Sequence, residues 1–404
     1  MKVVGIVSEF NPFHNGHAHL IEQVRASAGS EPVCIVAVMS GHFVQRGEPA
    51  VLPKAQRVQA AVAGGVDLVL ELPTPWSLSS AENFALGGVS LLHALSCVDT
   101  LAFGSECGEI DRLLKAADLM ETARFSELLR YHLDGGISFP EAQEKALYEL
   151  GGERASELLR SPNNVLGLEY LKAIRRLGSA MRPFTVKRLG VEHDDLRPLG
   201  DVASAAYLRT LIRENHLVNA LPFMPPLCRQ AVSAAVSAGL CPASPEKLES
   251  AVLYRLRQMS PDDFAALPAM SEGLQNRLFA AAQQAGSVEE FLTLCKTKRY
   301  PLTRLQRALW CAFLGITAAD TTGAPPYLRP LGVTDRGMEL LRTAKANGCT
   351  LPLFSRVSQA ELLPEAAQRI WQLECRAADL YALALPTPPP CGSEHTTALF
   401  KYQP

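Results

Sequence analysis

"KVVGIVSEFNPFHNGHAHLIEQV", residues 2–24, decides the fold class. Val3 to Val7 form a continuous apolar, β-branched run, the pattern of a strand buried on both faces. From Gly16 onward, "GHAHLIEQVRASAG" takes the spacing of an amphipathic helix that ends near Gly29. A buried strand that turns directly into a helix is the opening βα unit of a parallel sheet. The alternation continues. "VCIVAVMSG" and "VDLVLELP" read as the second and third strands, with the helix "LPKAQRVQAAVAGG" between them. "AENFALGGVSLLHALS" reads as a helix and "VDTLAFGSE" as the fourth strand. "RPFTVKRLG" (182–190) is a fifth strand, and "DVASAAYLRTLIREN" a helix with Ser204 near its start. The expected class is α/β: a parallel sheet covered by helices on both sides.

At 404 residues the chain exceeds one small core. The proline-rich "LPFMPPLC" near 221–228 marks a boundary. We expect a catalytic domain over 1–220, a mostly helical domain over 221–385 and a flexible tail over 386–404. "EIDRLLKAADLMETARFSELLRYHL" reads as an amphipathic helical stretch, and "PPYLRPLGVTDRGMELLRTAKANGCTLPLFSR" as a small strand–helix–strand unit. Formal net charge is -2, so any nucleic-acid surface must be a local patch. The ten cysteines form no C-x-x-C pair, which argues against a zinc ribbon or a disulfide framework. The first apolar run is too short for a signal peptide or a membrane span. A reduced, cytoplasmic protein is expected.

Three of the nine histidines, His14, His17 and His19, fall within six positions on the strand-to-helix turn. Chance would produce H-x-G-H about 0.01 times in such a chain, given its His and Gly content. In an open parallel sheet, ligands bind at the carboxyl ends of the strands, and phosphates favour helix N-termini. His14 and His17 can therefore aim at one bound group, and Gly16 lets a nucleotide approach the backbone. Two imidazole donors at an α-phosphate would stabilise the charge that builds during displacement, without a side-chain nucleophile. A structural role and a metal site are the alternatives. No Cys, Asp or Glu stands at a familiar ligand spacing, and H-E-x-x-H is absent, so no metal ligands are assigned.

"NPFHNGH" after a first strand resembles the H-x-G-H signature of the nucleotidylyltransferase superfamily, whose sheet is Rossmann-like. Together, "GIVSEFNPFHNGH", "AVMSGHFVQRGEPA", "VDLVLELP", "FGSE", "SPNNVLG" and "KTKRYPLTRLQR" are similar to the tRNA(Met) cytidine acetate ligase family, with a weaker echo at "YLRPLG". The resemblance implies activation of acetate by ATP, giving acetyl-adenylate and pyrophosphate. It then implies acetyl transfer to the exocyclic amine of the wobble cytidine of elongator tRNA(Met). Mg2+ would arrive on the ATP phosphates.

On that resemblance, His14 and His17 are the catalytic pair. The ATP span comprises Val7, Ser8, Glu9, Phe10, Asn11, Pro12, Phe13, His14, Asn15, Gly16, His17, Ala18, His19 and Leu20. Gly104, at the end of the fourth strand, leaves room for the nucleotide. Asn163 or Asn164 meets ribose or base, or else Ser161-Pro162 simply opens a helix there. Arg188 contacts phosphate or nucleotide. Arg46, Glu48 and Lys54, on a long polar loop, are candidates for the acetate or tRNA side. Many nucleotidylyltransferases carry S-x-T-x-I-R at a late helix start. Here it reads "ASAAYLR", which retains Ser204 and Arg209 but fewer hydroxyl donors. "LGVEHDD" lacks the aromatic expected beside His193.

The RNA reading rests on "FLTLCKTKRYPLTRLQR" (291–307), which holds Lys296, Lys298, Arg299, Arg304 and Arg307 with no acidic residue. Tyr300 interleaves and could stack on an unpaired base. Two other functions compete. One is a small-molecule adenylyltransferase. The other is an RNA-binding protein whose nucleotide site is only regulatory.

Overall fold

The computed structural model describes residues 1–189, 198–271 and 273–402. Five parallel strands build the centre: β1 (Lys2–Ser8), β2 (Val33–Ser40), β3 (Leu68–Leu72), β4 (Thr100–Ser105) and β5 (Arg182–Lys187). Their spatial order is β3-β2-β1-β4-β5, which sets β4, with Gly104 near its end, beside β1. Two further strands extend the β3 edge: β6 (Pro330–Val333), antiparallel to β3, and β7 (Phe400–Lys401), parallel to β6. The sheet therefore continues past residue 221 and takes strands from both ends of the chain.

The apolar runs lack strict alternation because both faces are covered. All eight residues of β2 are buried. Cys34, Val36 and Val38 enter one core, while Val33, Ile35, Ala37 and Met39 enter the other. Helices α3 (Ala81–Ala94) and α4 (Pro162–Arg176) cover the first face. Helices α1 (Asn15–Ser27), α2 (Lys54–Ala63) and α5 (Ala205–Arg213) cover the second. Full burial of one such Val or Ile stabilises by about 1.5–3 kcal/mol. The 109–133 stretch divides into two helices, Ile110–Met120 and Ala123–Asp134. The break falls at Thr122, whose side chain caps the second helix through the Phe125 N–H. Beyond β5 the chain is mostly helical, including α6 (Leu302–Leu314) and the long α7 (Glu365–Ala382).

The segment 386–404, expected to be a flexible tail, is exposed over most of its described length but anchored at two points. Within it Glu394 is 3% exposed, and Phe400–Lys401 pairs with β6. Glu394 enters a buried charge cluster. It pairs with Lys54 at 2.6 Å and with Arg329 at 2.5 Å. Both cations also reach Glu71, which is fully buried, and the Arg329 contact there is 2.9 Å. Glu374 lies in the same region, bonded to the Thr74 N–H and to its hydroxyl at 3.0 Å. Lys54 was expected on the acetate or tRNA side of the long loop. It is instead 5% exposed and committed to this interior cluster.

Candidate active site

The signature turn sits at the carboxyl end of β1, in the centre of the sheet. His14 is the N-cap of α1, in extended backbone at φ -141°. Its Nδ1 accepts the Gly16 N–H at 3.0 Å, and its own N–H donates to His17 Nδ1 at 3.2 Å. Both Nδ1 atoms are thus acceptors, which fixes the neutral ring proton of each histidine on Nε2. The ring centroids lie 3.9 Å apart. Burial, followed by the Arg188 charge, pushes His17 down to about 3. Burial, with His17, Arg188 and Arg209 behind it, holds His14 well below the usual imidazole range. The pair is neutral at pH 7 and presents two Nε2–H donors.

These rings form the wall between two cavities, because both line each of them. The first has a volume of about 130 Å³. Of the expected ATP span, Val7, Ser8, Phe10, His14, Gly16, His17, His19 and Leu20 line it. Gly104, Asn163, Arg188 and Ser204 line it too. A Cβ added to Gly104 would lie 3.3 Å from Arg188 Cγ, at the cavity wall. The second cavity, about 120 Å³, is more polar: Glu9, Asn11, Arg46, Arg188 and Arg209 border it, with Ala205 and Ala206 at the start of α5. That helix N-terminus and three guanidinium groups make the second cavity a seat for anionic oxygens. Asn11 is 2% exposed, and its Nδ2 has no hydrogen-bond partner among the described residues. The Arg188 Nε is likewise unpartnered. Burial raises the Glu9 carboxyl against the pull of Arg209.

Other residues of the span hold the turn rather than line it. Phe13 is buried and packs on Phe10 and His17, at 5.1 and 5.4 Å between centroids. Pro12 follows Asn11 through a cis peptide bond. The Asn15 side chain donates to the Asp201 and Pro222 carbonyls, and Ala18 packs against the core. Asn164 accepts the Cys107 N–H at 3.1 Å, and its own N–H donates to Glu106. Asn163, one position earlier, faces the first cavity while its amide donates to Glu106 at 2.6 Å. Gly16 has a second role: a Cβ there would stand 2.8 Å from His14 Cε1 and displace the capping ring.

Ser204 caps α5 by accepting the Tyr207 N–H. Arg209 donates to the Asn11 carbonyl at 3.0 Å and pairs with Glu48 at 2.9 Å. Glu48 also holds Arg213, so it anchors α5 to the long loop. His193 lies outside the described residues. Two contributors were not singled out from sequence. Tyr170 lines the first cavity, and Glu106 holds the Asn163–Asn164 turn. The helical spacing Asn163, Leu166, Tyr170 (i, i+3, i+7) was the available signal, since all three line that cavity.

The basic run 291–307 splits. Lys296, Lys298 and Arg299 are exposed. Lys298 and Arg299 line a surface cleft of about 360 Å³ with Gly136 and Ser138. Arg304 turns inward to the Ala269 carbonyl and Ser271 hydroxyl and lies 5.4 Å over the Tyr300 ring. Arg307 donates to the Gln45 carbonyl, at the packing of α6 on the long loop. Tyr300, read as a base-stacking candidate, is only 6% exposed and belongs to the core.

Residues 1–394 match the model of the HIGH Nucleotidyl Transferase family. The tRNA(Met) cytidine acetate ligase of Thermoanaerobacter sp. (strain X514) is 36% identical over 390 residues, covering 95% of this chain and 96% of its own. That of Acetivibrio thermocellus is 35% identical and covers 96% of both chains. The crystal structure of Thermotoga maritima TmcAL in its apo form I superposes with a TM-score of 0.93 at 31% identity and covers 99% of both chains. The same protein bound with alpha-thio ATP gives 0.91 at 30% identity, also over 99% of both.

Proposed function

Because the chain belongs to the HIGH nucleotidyl transferases and, among them, to the tRNA(Met) cytidine acetate ligase family, we propose that it activates acetate with ATP and acetylates the wobble cytidine of elongator tRNA(Met). The observation that carries this reading is the neutral pair of Nε2–H donors between a cavity of mixed lining and a more polar one rich in guanidinium groups. Adenosine occupies the first cavity, against Gly104, Asn163 and Tyr170. The α-phosphate lies at His14 and His17. The charged groups flanking it meet Arg46, Arg188, Arg209 and the start of α5. An acetate oxygen attacks the α-phosphorus, the bond to the bridging β-oxygen breaks, and pyrophosphate leaves. The two imidazoles donate to the oxygens on which charge accumulates. The cytidine amine then attacks the acetyl carbon, AMP leaves and the amine loses a proton. Mg2+ would be held by the ATP phosphates and would neutralise part of their charge, with Glu9 the carboxylate that lines the second cavity among the described residues.

We place RNA contact at the cleft of Lys298 and Arg299, with Lys296 beside it. Gly136 and Ser138 share the cleft, so the RNA surface draws on the 1–220 region as well as on 221–385. No helix among the described residues is long and apolar enough to cross a membrane, and we assign the protein to the cytoplasm, with its RNA substrate.

The test is incorporation of labelled acetate into tRNA. Label that enters RNA only with ATP present supports the ligase. Pyrophosphate release without RNA label favours the small-molecule adenylyltransferase, and RNA binding without ATP turnover favours the regulatory reading. In the double variant Lys298→Ala/Arg299→Ala, tRNA affinity should fall and the slope of log K against log salt should shrink by about 1–2. Acetate-dependent ATP–pyrophosphate exchange should not change. An unaltered salt slope removes the cleft from the RNA surface.

A further inference from the structure

Arg57 is fully buried, yet among the described residues no carboxylate bonds its guanidinium. Its partners are four main-chain carbonyls. Nη1 donates to Glu9 at 2.7 Å and to Ser40 at 3.0 Å, Nε to Leu52 at 3.2 Å, and Nη2 to Gly41. Glu9 follows β1 and Ser40 ends β2, while Gly41 and Leu52 bracket the long loop. One side chain thus ties two adjacent strand ends to both ends of the loop. Burial lowers the guanidinium to about 10, which still leaves it charged at pH 7.

The next residue explains the clamp. Phe10 has φ +45°, a left-handed backbone that bulky residues seldom adopt. Arg57 grips the carbonyl before it, and Arg209 grips the carbonyl of Asn11 after it, at 3.0 Å. In this conformation the Phe10 ring meets His17 edge-on, 5.0 Å between centroids at 81°. A strained aromatic held by two buried cations marks a position where geometry is enforced.

We infer that Arg57 is the positioning residue of the histidine pair: with Arg209 it locks Phe10 left-handed, and Phe10 sets the His17 ring. The inference rests on the reading of His17 as an α-phosphate donor, but it makes its own spectroscopic claim. Lysine cannot replace the fork, because an ammonium reaches fewer carbonyls at once and in another geometry.

The experiment compares wild type with Arg57→Lys. Acetate-dependent exchange is measured together with 15N-histidine NMR of the imidazoles. In the folded variant, kcat should fall on the order of 100-fold, the scale of a misplaced catalytic group, while KM for ATP stays within about threefold. The His17 resonances should lose the single Nε2–H pattern of the wild type. Wild-type kcat with unshifted imidazole signals overturns the inference. If Arg57→Lys does not fold, Phe10→Asn decides. Asparagine accepts the left-handed backbone but lacks the ring, so the same kcat loss and spectral change are expected. Unchanged signals with unchanged kcat overturn the proposal. If wild type catalyses no exchange, the proposed function fails, and the NMR comparison still judges the clamp.

Discussion

His17→Ala should lower acetate-dependent ATP–pyrophosphate exchange by about 10²–10³-fold, the effect of deleting one preorganised donor to a developing charge. Affinity for ATP should change far less, because in the proposed arrangement the first cavity also holds the adenosine through the strand ends and α4. The histidine acts as a neutral donor, so its pH signature differs from that of a general base. Burial and Arg188 push His17 down to about 3, so the reaction should show no loss of rate on this account between pH 8 and 5. A folded pKa below the unfolded value of about 6.5 means the unfolded chain binds more protons between those two values. The contribution of His17 to stability is present above about pH 6.5 and drains as pH falls toward 3. His17→Ala should abolish that part of the acid dependence. A bell-shaped rate profile whose acidic limb near pH 6.5 vanishes in His17→Ala would contradict the neutral-donor reading.

The tautomer argument needs no nucleotide, because the two Nδ1 atoms are already occupied by backbone N–H groups. The cap that starts α1 and the orientation that prepares catalysis are the same pair of hydrogen bonds. This couples fold to function at a point where a cheaper cap was available. Serine or aspartate at position 14 would cap the helix equally well but would carry no second nitrogen into the cavities. The site is therefore preorganised by secondary structure itself, and the strained Phe10 behind it is a local cost of that arrangement.

Much of this was legible from residue order. The parallel sheet followed from apolar runs alternating with helical periods, and the same alternation put His14, Gly16 and His17 on the turn at the end of β1. What escaped depended on contacts distant in sequence. Arg57 reads as one more cation on an amphipathic helix until the strand ends close around it. Lys54 has the polar-loop setting of a ligand, but its partners Glu71 and Glu394 come from two other segments. The basic run 291–307 shows five positive charges in sequence, yet helix α6 turns two of them toward carbonyls of other segments. The tail has the composition of a disordered end. A single buried carboxylate and a two-residue strand anchor it at two points.

Glu394→Ala tests the buried anchor. It leaves Lys54 and Arg329, at 5% and 6% exposure, with one fewer carboxylate to share. Removing one partner from a buried ion cluster typically costs about 3–5 kcal/mol. With about 2.1 cal/mol/K of unfolding entropy per residue, that corresponds to a Tm drop of roughly 4–6 °C if the chain unfolds as a unit. The pH dependence separates the two carboxylates. Burial alone would raise Glu394, but Lys54 and Arg329 outweigh it and hold the group well below the usual range. Its contribution is present above about pH 4.3, the unfolded Glu value, and is lost as pH falls from there. Glu374 runs the other way: burial and then Glu71 raise it to about 8. Its contribution is complete below about pH 4.3 and is lost as pH rises through about 8. Glu394→Gln should therefore flatten the acid limb of the Tm profile and leave the alkaline limb. Glu374→Gln should flatten the alkaline limb, because an amide stays neutral beside Glu71. A Tm for Glu394→Ala within about 1 °C of wild type, with proteolysis that clips the chain beyond residue 386 equally fast in both, would show that the tail does not depend on this buried pairing.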